Sequence, residues 1–246
     1  MQALKKKIWI LVACFLAATD AWPQEKVVTA GIQFKPIFSS RYFSTGPQAK
    51  DSSGVGFELI PSGGYCVGGL VRVGITPRLS GETGINFVKR PHKMIITDAS
   101  RALHEESTFS IIAYEIPVSA LVFIKLSEIA FMNAALGVTM DFFPSNVESS
   151  DDYFQHLSRR KNWIFPSIAA NIGYEIRTYK AGYFYVGASY HRPFSDIYTS
   201  TVGYYVDDKY YTGQQFLLSG NYLTLDFRYF FPEDQAKSKK RSAGEE

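Results

Sequence analysis

His191 is the residue in this 246-residue chain best supplied for acyl-transfer chemistry, because Ser189 precedes it and Ser195 and Asp196 follow closely. An imidazole that takes a hydroxyl proton while a carboxylate orients it is how a serine becomes a nucleophile. The spacing weighs against that arrangement. In an extended strand Ser189 lies about 6 to 7 Å from His191, and only a bend at Pro193 brings Ser195 back toward it. No Gly-x-Ser-x-Gly elbow is present. His92, His104 and His156 stand in no His-Glu-x-x-His or paired-cysteine spacing, so neither a metal site nor a cofactor is expected. Asp151-Asp152 and Asp207-Asp208 lack the spaced oxygen ligands of a calcium loop.

A second group of chemically capable residues is Lys35, Arg72, Glu82, Glu115, Glu175, Asp226 and Arg228. Each stands in a stretch where apolar and polar residues alternate, and each falls on the polar parity. Eight such stretches run between Val27 and Phe231. Val28, Ala30, Ile32 and Phe34 alternate with Thr29, Gly31, Gln33 and Lys35; Leu223, Leu225, Phe227 and Tyr229 alternate with Thr224, Asp226 and Arg228. Short connections (76–79, 125–128, 177–182) alternate with long ones (41–64, 91–107, 144–162, 194–220). That rhythm predicts an eight-stranded antiparallel up-and-down transmembrane β-barrel, with short periplasmic turns and long extracellular loops. A soluble barrel would put its apolar face inside and bury these charges in the core, at high cost. The parity predicts a lumen filled by a charge network, with Arg72 beside Glu82, Glu175 and Arg228 at similar depth, and Lys35 near Glu115. A lysine at Val71 or Val73 should therefore impair insertion, and a lumenal change such as Gly68→Ser should be tolerated.

The first residues carry Lys5 to Lys7, the apolar run Ile8 to Ala18, and small residues before Trp22. This is the pattern of an export signal over 1–21, too short to span a bilayer. Leu11 to Cys14 also form a lipobox-like tetrapeptide, set aside because the apolar run continues past it. Removing 1–21 takes away three lysines and Asp20, so the formal charge of +3 becomes +1, which leaves no basic field for nucleic acid. Cys66 is then the remaining cysteine, and an internal disulfide is impossible. A mean hydropathy of −0.08 and the lack of a long apolar run after the signal exclude a helical membrane protein.

Gly31-Ile32-Gln33-Phe34-Lys35-Pro36, Glu82-Thr83-Gly84-Ile85-Asn86-Phe87, Tyr114-Glu115-Ile116-Pro117-Val118 and Leu225-Asp226-Phe227-Arg228-Tyr229-Phe230-Phe231 are the most specific segments. In these the chain resembles the outer-membrane β-barrel domain family common in Bacteroidetes, small barrels of OmpX and OmpA architecture. The resemblance spans nearly all of Val27 to Phe231, within a barrel domain read as 22–231, and implies the outer membrane of a gram-negative cell, with no established activity for most members. The chain departs from that family in residues 232–246, whose mixed charges read as a disordered periplasmic tail. The expected function is structural or interactive, as an accessory component of an envelope or secretion complex, and not enzymatic. Its partners would be outer-membrane lipid, lipopolysaccharide and an envelope protein met by the tail or by the extracellular loops, where Tyr204, Tyr205, Tyr210 and Tyr211 cluster. The alternatives are a lipid-modifying acyl hydrolase or acyltransferase centred on His191, Ser195 and Asp196, and a small channel.

Overall fold

The computed structural model describes residues 28–40, 46–151, 153–178, 181–207 and 209–232. The signal segment 1–21 and the tail, Pro232 apart, lie outside the described residues. Fourteen strands form: β1 (Val28–Phe38), β2 (Gln48–Ser52), β3 (Val55–Pro61), β4 (Gly64–Thr76), β5 (Leu79–Asp98), β6 (Leu103–Lys125), β7 (Ala130–Phe142), β8 (Val147–Asp151), β9 (Phe154–Arg160), β10 (Ile164–Thr178), β11 (Gly182–Pro193), β12 (Tyr198–Val206), β13 (Lys209–Leu218) and β14 (Tyr222–Phe230). Eight of them close a ring by antiparallel pairing in the order β1, β4, β5, β6, β7, β10, β11, β14, and β14 pairs β1 through Gly31↔Phe230 and Phe34↔Phe227. Closure satisfies every lateral backbone edge of the ring, which open sheets leave exposed.

The strand count exceeds eight because the long connections are not loops. β5 and β6 continue upward as one hairpin to Asp98 and Leu103, β3 adds to the upper half of β5, and β2 adds to β3. Facing them, β8, β9, β12 and β13 make a separate four-stranded sheet. The two upper sheets enclose an apolar core of Val55, Phe57, Met94, Ile96, Phe109, Phe154, Val202, Tyr204 and Phe216. Burial of alternate side chains from two facing sheets is the force that orders these segments. Where β13 meets β2 the seam is made by side chains: Gln48 Nε2 donates to the Leu217 carbonyl (3.0 Å), Lys50 Nζ to that of Gln215 (2.5 Å) and Gln214 Nε2 to that of Asp51 (3.2 Å).

Polarity inverts along single strands. On β6 the lower outward face is Ile112, Tyr114, Ile116, Val118, Ala120, Val122 and Ile124, while Glu115 and Ser119 face in. Above Ser110 the outward residues are His104, Glu106 and Thr108 and Phe109 faces in, as Ile111 does just below. β5 does the same, with Ile85 and Phe87 outward below and Lys89 and Lys93 outward above, where Met94 and Ile96 turn inward. Just below that level Tyr65, Phe87 and Tyr114 form an outward aromatic chain (centroids 6.3 and 5.8 Å). At the opposite rim Phe184, Tyr229 and Phe231 form another (5.1 and 5.5 Å).

His92 and His156, which fall in the long connections 91–107 and 144–162, are buried in the upper core. His92 stacks on Phe109 (5.2 Å, 10°), and Phe109 lies 4.1 Å from the His156 ring. Burial, with the Arg90 charge as a second cause, pushes the His92 imidazole down to about 3, and burial pushes that of His156 down to about 4. Folded, both stay neutral where the unfolded chain takes up protons near pH 6.5. Stability is therefore full above about pH 6.5 and falls progressively as pH drops toward about 4. Near-ultraviolet circular dichroism of the detergent-solubilised protein should show a lower melting temperature at about pH 4.5 than at about pH 7.5. The His92→Gln/His156→Gln double variant should flatten the dependence, and equal wild-type melting at both pH values would refute it.

Candidate functional site

The ring lumen is filled from its lower rim by one alternating chain of charges. Arg177 Nε binds Glu175 (2.7 Å), Glu175 binds Arg72 Nη1 (2.6 Å), and Arg72 reaches Glu82, its cross-strand partner on β5 (3.1 Å). Glu82 then binds Arg228 (2.6 Å), Arg228 binds Asp226 (2.9 Å), and Lys35 closes the series on Asp226 (3.4 Å). Each carboxylate of this chain, Glu175, Glu82 and Asp226, is held between two cations. The guanidiniums also stack: Arg72 lies 3.8 Å from the Phe230 ring centre, and Arg177 4.2 Å from that of Phe131. These rings wall the lower rim. Asn171 and Ser189 extend the network by donating to Asp226 (3.1 and 2.6 Å).

Tyr185 crosses this layer and donates to Asn171 Oδ1 (2.6 Å). The hydroxyl end of its ring lies against Gly173 and Gly187, which pair directly across β10 and β11. A Cβ at either glycine would collide with the phenol. The sequence offers no way to assign that role, since both glycines read only as small inward residues.

The upper lumen holds a second cluster. Glu115 on β6 and Asp141 on β7 are opposed in register, and His191 on β11 sits opposite Tyr222 on β14. His191 Nε2 is 2.9 Å from Asp141 Oδ2 and 3.9 Å from Glu115 Oε1. The Tyr222 hydroxyl donates to Glu115 (2.7 Å), and its ring stacks on the imidazole at 4.5 Å. Ser167 donates to Asp141. A cavity of about 50 Å³ separates the two layers, lined by Lys35, Asn86, Glu115, Thr139, His191 and Thr224 among others.

Several sequence expectations change here. Lys35 and Glu115 do not meet, because Lys35 turns to Asp226 and Glu115 to Tyr222. Glu175 and Arg228 both register with Tyr185, and Arg72 and Glu82 stand between their charges. Ser195 is exposed and Asp196 pairs with Lys161 (3.2 Å) outside the ring, so neither joins His191. Among the groups that do join it, Asp141 lies between the imidazole and Ser167. In a nucleophilic triad the imidazole lies between hydroxyl and acid, so this order does not activate the serine. Asp141 was absent from the expected network although its parity on the fifth alternating stretch placed it inward.

No family model and no curated protein matches the chain. Among solved structures it is similar to the outer membrane protein OprG from Pseudomonas aeruginosa, with a TM-score of 0.53, 10% identity, and coverage of 84% of this chain and 96% of that one. The outer membrane protease OmpT from Escherichia coli (TM-score 0.32, 10% identity, 87% and 100% covered) and the β-domain of the Bordetella autotransporter BrkA (0.32, 9%, 82% and 98%) also align. The closed ring of eight antiparallel strands shares the fold of OprG.

Proposed function

We propose that the ring is an eight-stranded transmembrane barrel of the small OmpX and OmpA kind, set in the outer membrane of a gram-negative cell. It anchors the upper β-structure outside the cell as a rigid contact surface for an envelope partner. The observation that carries this reading is the polarity inversion on β5 and β6 at Lys89 and Ser110. Below it the outward face is apolar and bounded by two aromatic chains, as lipid and its two interfaces require. Above it the outward face is polar and the inside apolar, as water requires. An accessory role in a secretion or envelope complex fits a lumen occupied by paired side chains and an upper sheet that exposes Tyr210, in contact at 5.7 Å with the half-buried Tyr205.

Cysteine accessibility tests the orientation. Lys209→Cys, on the upper sheet, should react with a membrane-impermeant maleimide in intact cells. Arg78→Cys, in the turn between β4 and β5, should react only after the outer membrane is breached. The reverse pattern would exclude the proposed anchor. Planar-bilayer recordings should show no steady conductance, and a stable open state would favour the channel instead.

A further inference from the structure

Glu115 and Asp141 differ from every other carboxylate in the lumen. Glu82, Glu175 and Asp226 each touch an arginine, whereas among the described residues neither Glu115 nor Asp141 has a lysine or arginine within ion-pair distance. Arg90 sends Nη1 to the Gly220 carbonyl (2.6 Å). The two acids are nonetheless directly opposed across β6 and β7 and are 3% and 1% exposed. Opposed like charges repel, and a buried pair is relieved by a proton or a cation held between them.

We propose that Glu115, Asp141 and His191 bind one divalent transition-metal ion with zinc-like preferences. One donor atom from each lies within 4.8 Å of the others. Tetrahedral ligands about 2.0 to 2.1 Å from zinc stand about 3.3 Å apart, so the observed 2.9 and 3.9 Å separations from His191 Nε2 bracket the required edge. Asp141 Oδ1 is buried without a hydrogen-bond partner, an acceptor that folding leaves unused and that a metal would satisfy.

The surroundings orient the ligands as metal sites do. Ser167 fixes Asp141 by donating to Oδ2, the same oxygen that faces His191 Nε2, Tyr222 fixes Glu115 through its hydroxyl, and the same ring holds the imidazole plane at 11°. The cavity beside Glu115 and His191 has room for a water as fourth ligand. One imidazole nitrogen with two carboxylates suits zinc better than calcium or magnesium, which take oxygen alone, or copper(I), which prefers sulfur.

The test uses the full folded chain in detergent, stripped with a chelator and then given Zn²⁺, with Co²⁺ as a spectroscopic probe. One Zn²⁺ per chain should survive desalting and raise the melting temperature, and Co²⁺ should give a visible ligand-field band. His191→Ala and Asp141→Asn should bind at least about tenfold more weakly. His104→Ala should bind as the wild type does, because that imidazole is exposed beside Glu106 (3.6 Å). A folded wild type that retains no ion, or equal retention in all three variants, overturns the proposal. If the two site variants do not fold, the wild-type chain decides: stoichiometric Zn²⁺ with the cobalt band supports the site, and absence of either refutes it.

Discussion

Val71→Lys should yield a chain that no longer reaches the compact, heat-modifiable form in membranes or lipid vesicles. Val71 lies on the outward face of β4, between Ala30 and Thr83 of its neighbours, and is 40% exposed to what the proposal assigns as lipid. A cation at that depth costs about 2 to 4 kcal/mol, a large share of the roughly 5 to 15 kcal/mol that a folded domain holds. The control must face the lumen without crowding it. Gly68→Ser, which parity alone suggests, is unsuitable, because a Cβ at Gly68 would run into the Ile85 carbonyl and the Asn86 side chain. Ala169→Ser serves better, since Ala169 lines the cavity. Gel migration with and without heating reads both. If Val71→Lys and Ala169→Ser fold equally, β4 does not meet lipid.

That failure of Gly68 as a silent site shows where sequence parity stops. Alternation states which face a side chain takes, because strand geometry has a period of two, and the outward and inward sets on all eight ring strands agree with it. It states nothing about depth or lateral distance. Arg72 and Glu82 could be paired from the sequence because a tight turn fixes their register. Lys35 and Glu115 lie on strands that are not neighbours in the ring, β1 and β6, so their relative height depended on stagger that alternation does not encode. Asp141 and His191 approach each other across β10 for the same reason.

The upper sheets were hidden by a different effect. Residues 147–160 and 198–218 alternate too, but with Ser158, Ser200 and Thr212 inward among Phe154, Val202 and Phe216. Their periodicity is diluted by polar residues that pair inside. His156 is the clearest case. It reads as a solvated loop residue, yet its Nε2 lies 2.8 and 2.9 Å from Ser158 and Ser200 and its Nδ1 3.1 Å from Ser149, so its polar atoms are met within the sheet. Long connections between ring strands read as loops because nothing local signals the second sheet against which they pack.

The charge chain sets the second large effect. Arg72→Ala should lower stability by about 3 to 5 kcal/mol, the range for removing one partner of a buried ion pair. Arg72 is 4% exposed, and it alone links Glu175 to Glu82. Without it Glu175 keeps only Arg177 at the rim and Glu82 keeps only Arg228, so two carboxylates each lose one of two cations. The loss of the stack on Phe230 adds a void beneath them. Adding Glu82→Gln to Arg72→Ala should recover part of the loss, because one of the stranded charges is removed along with its partner. Glu175→Gln should recover more, since Glu175 is fully buried whereas Glu82 retains slight exposure. Urea unfolding in lipid vesicles gives all three values. If Arg72→Ala unfolds with the wild-type midpoint, the chain of charges contributes nothing to stability, and the lumen is held by its aromatic walls alone.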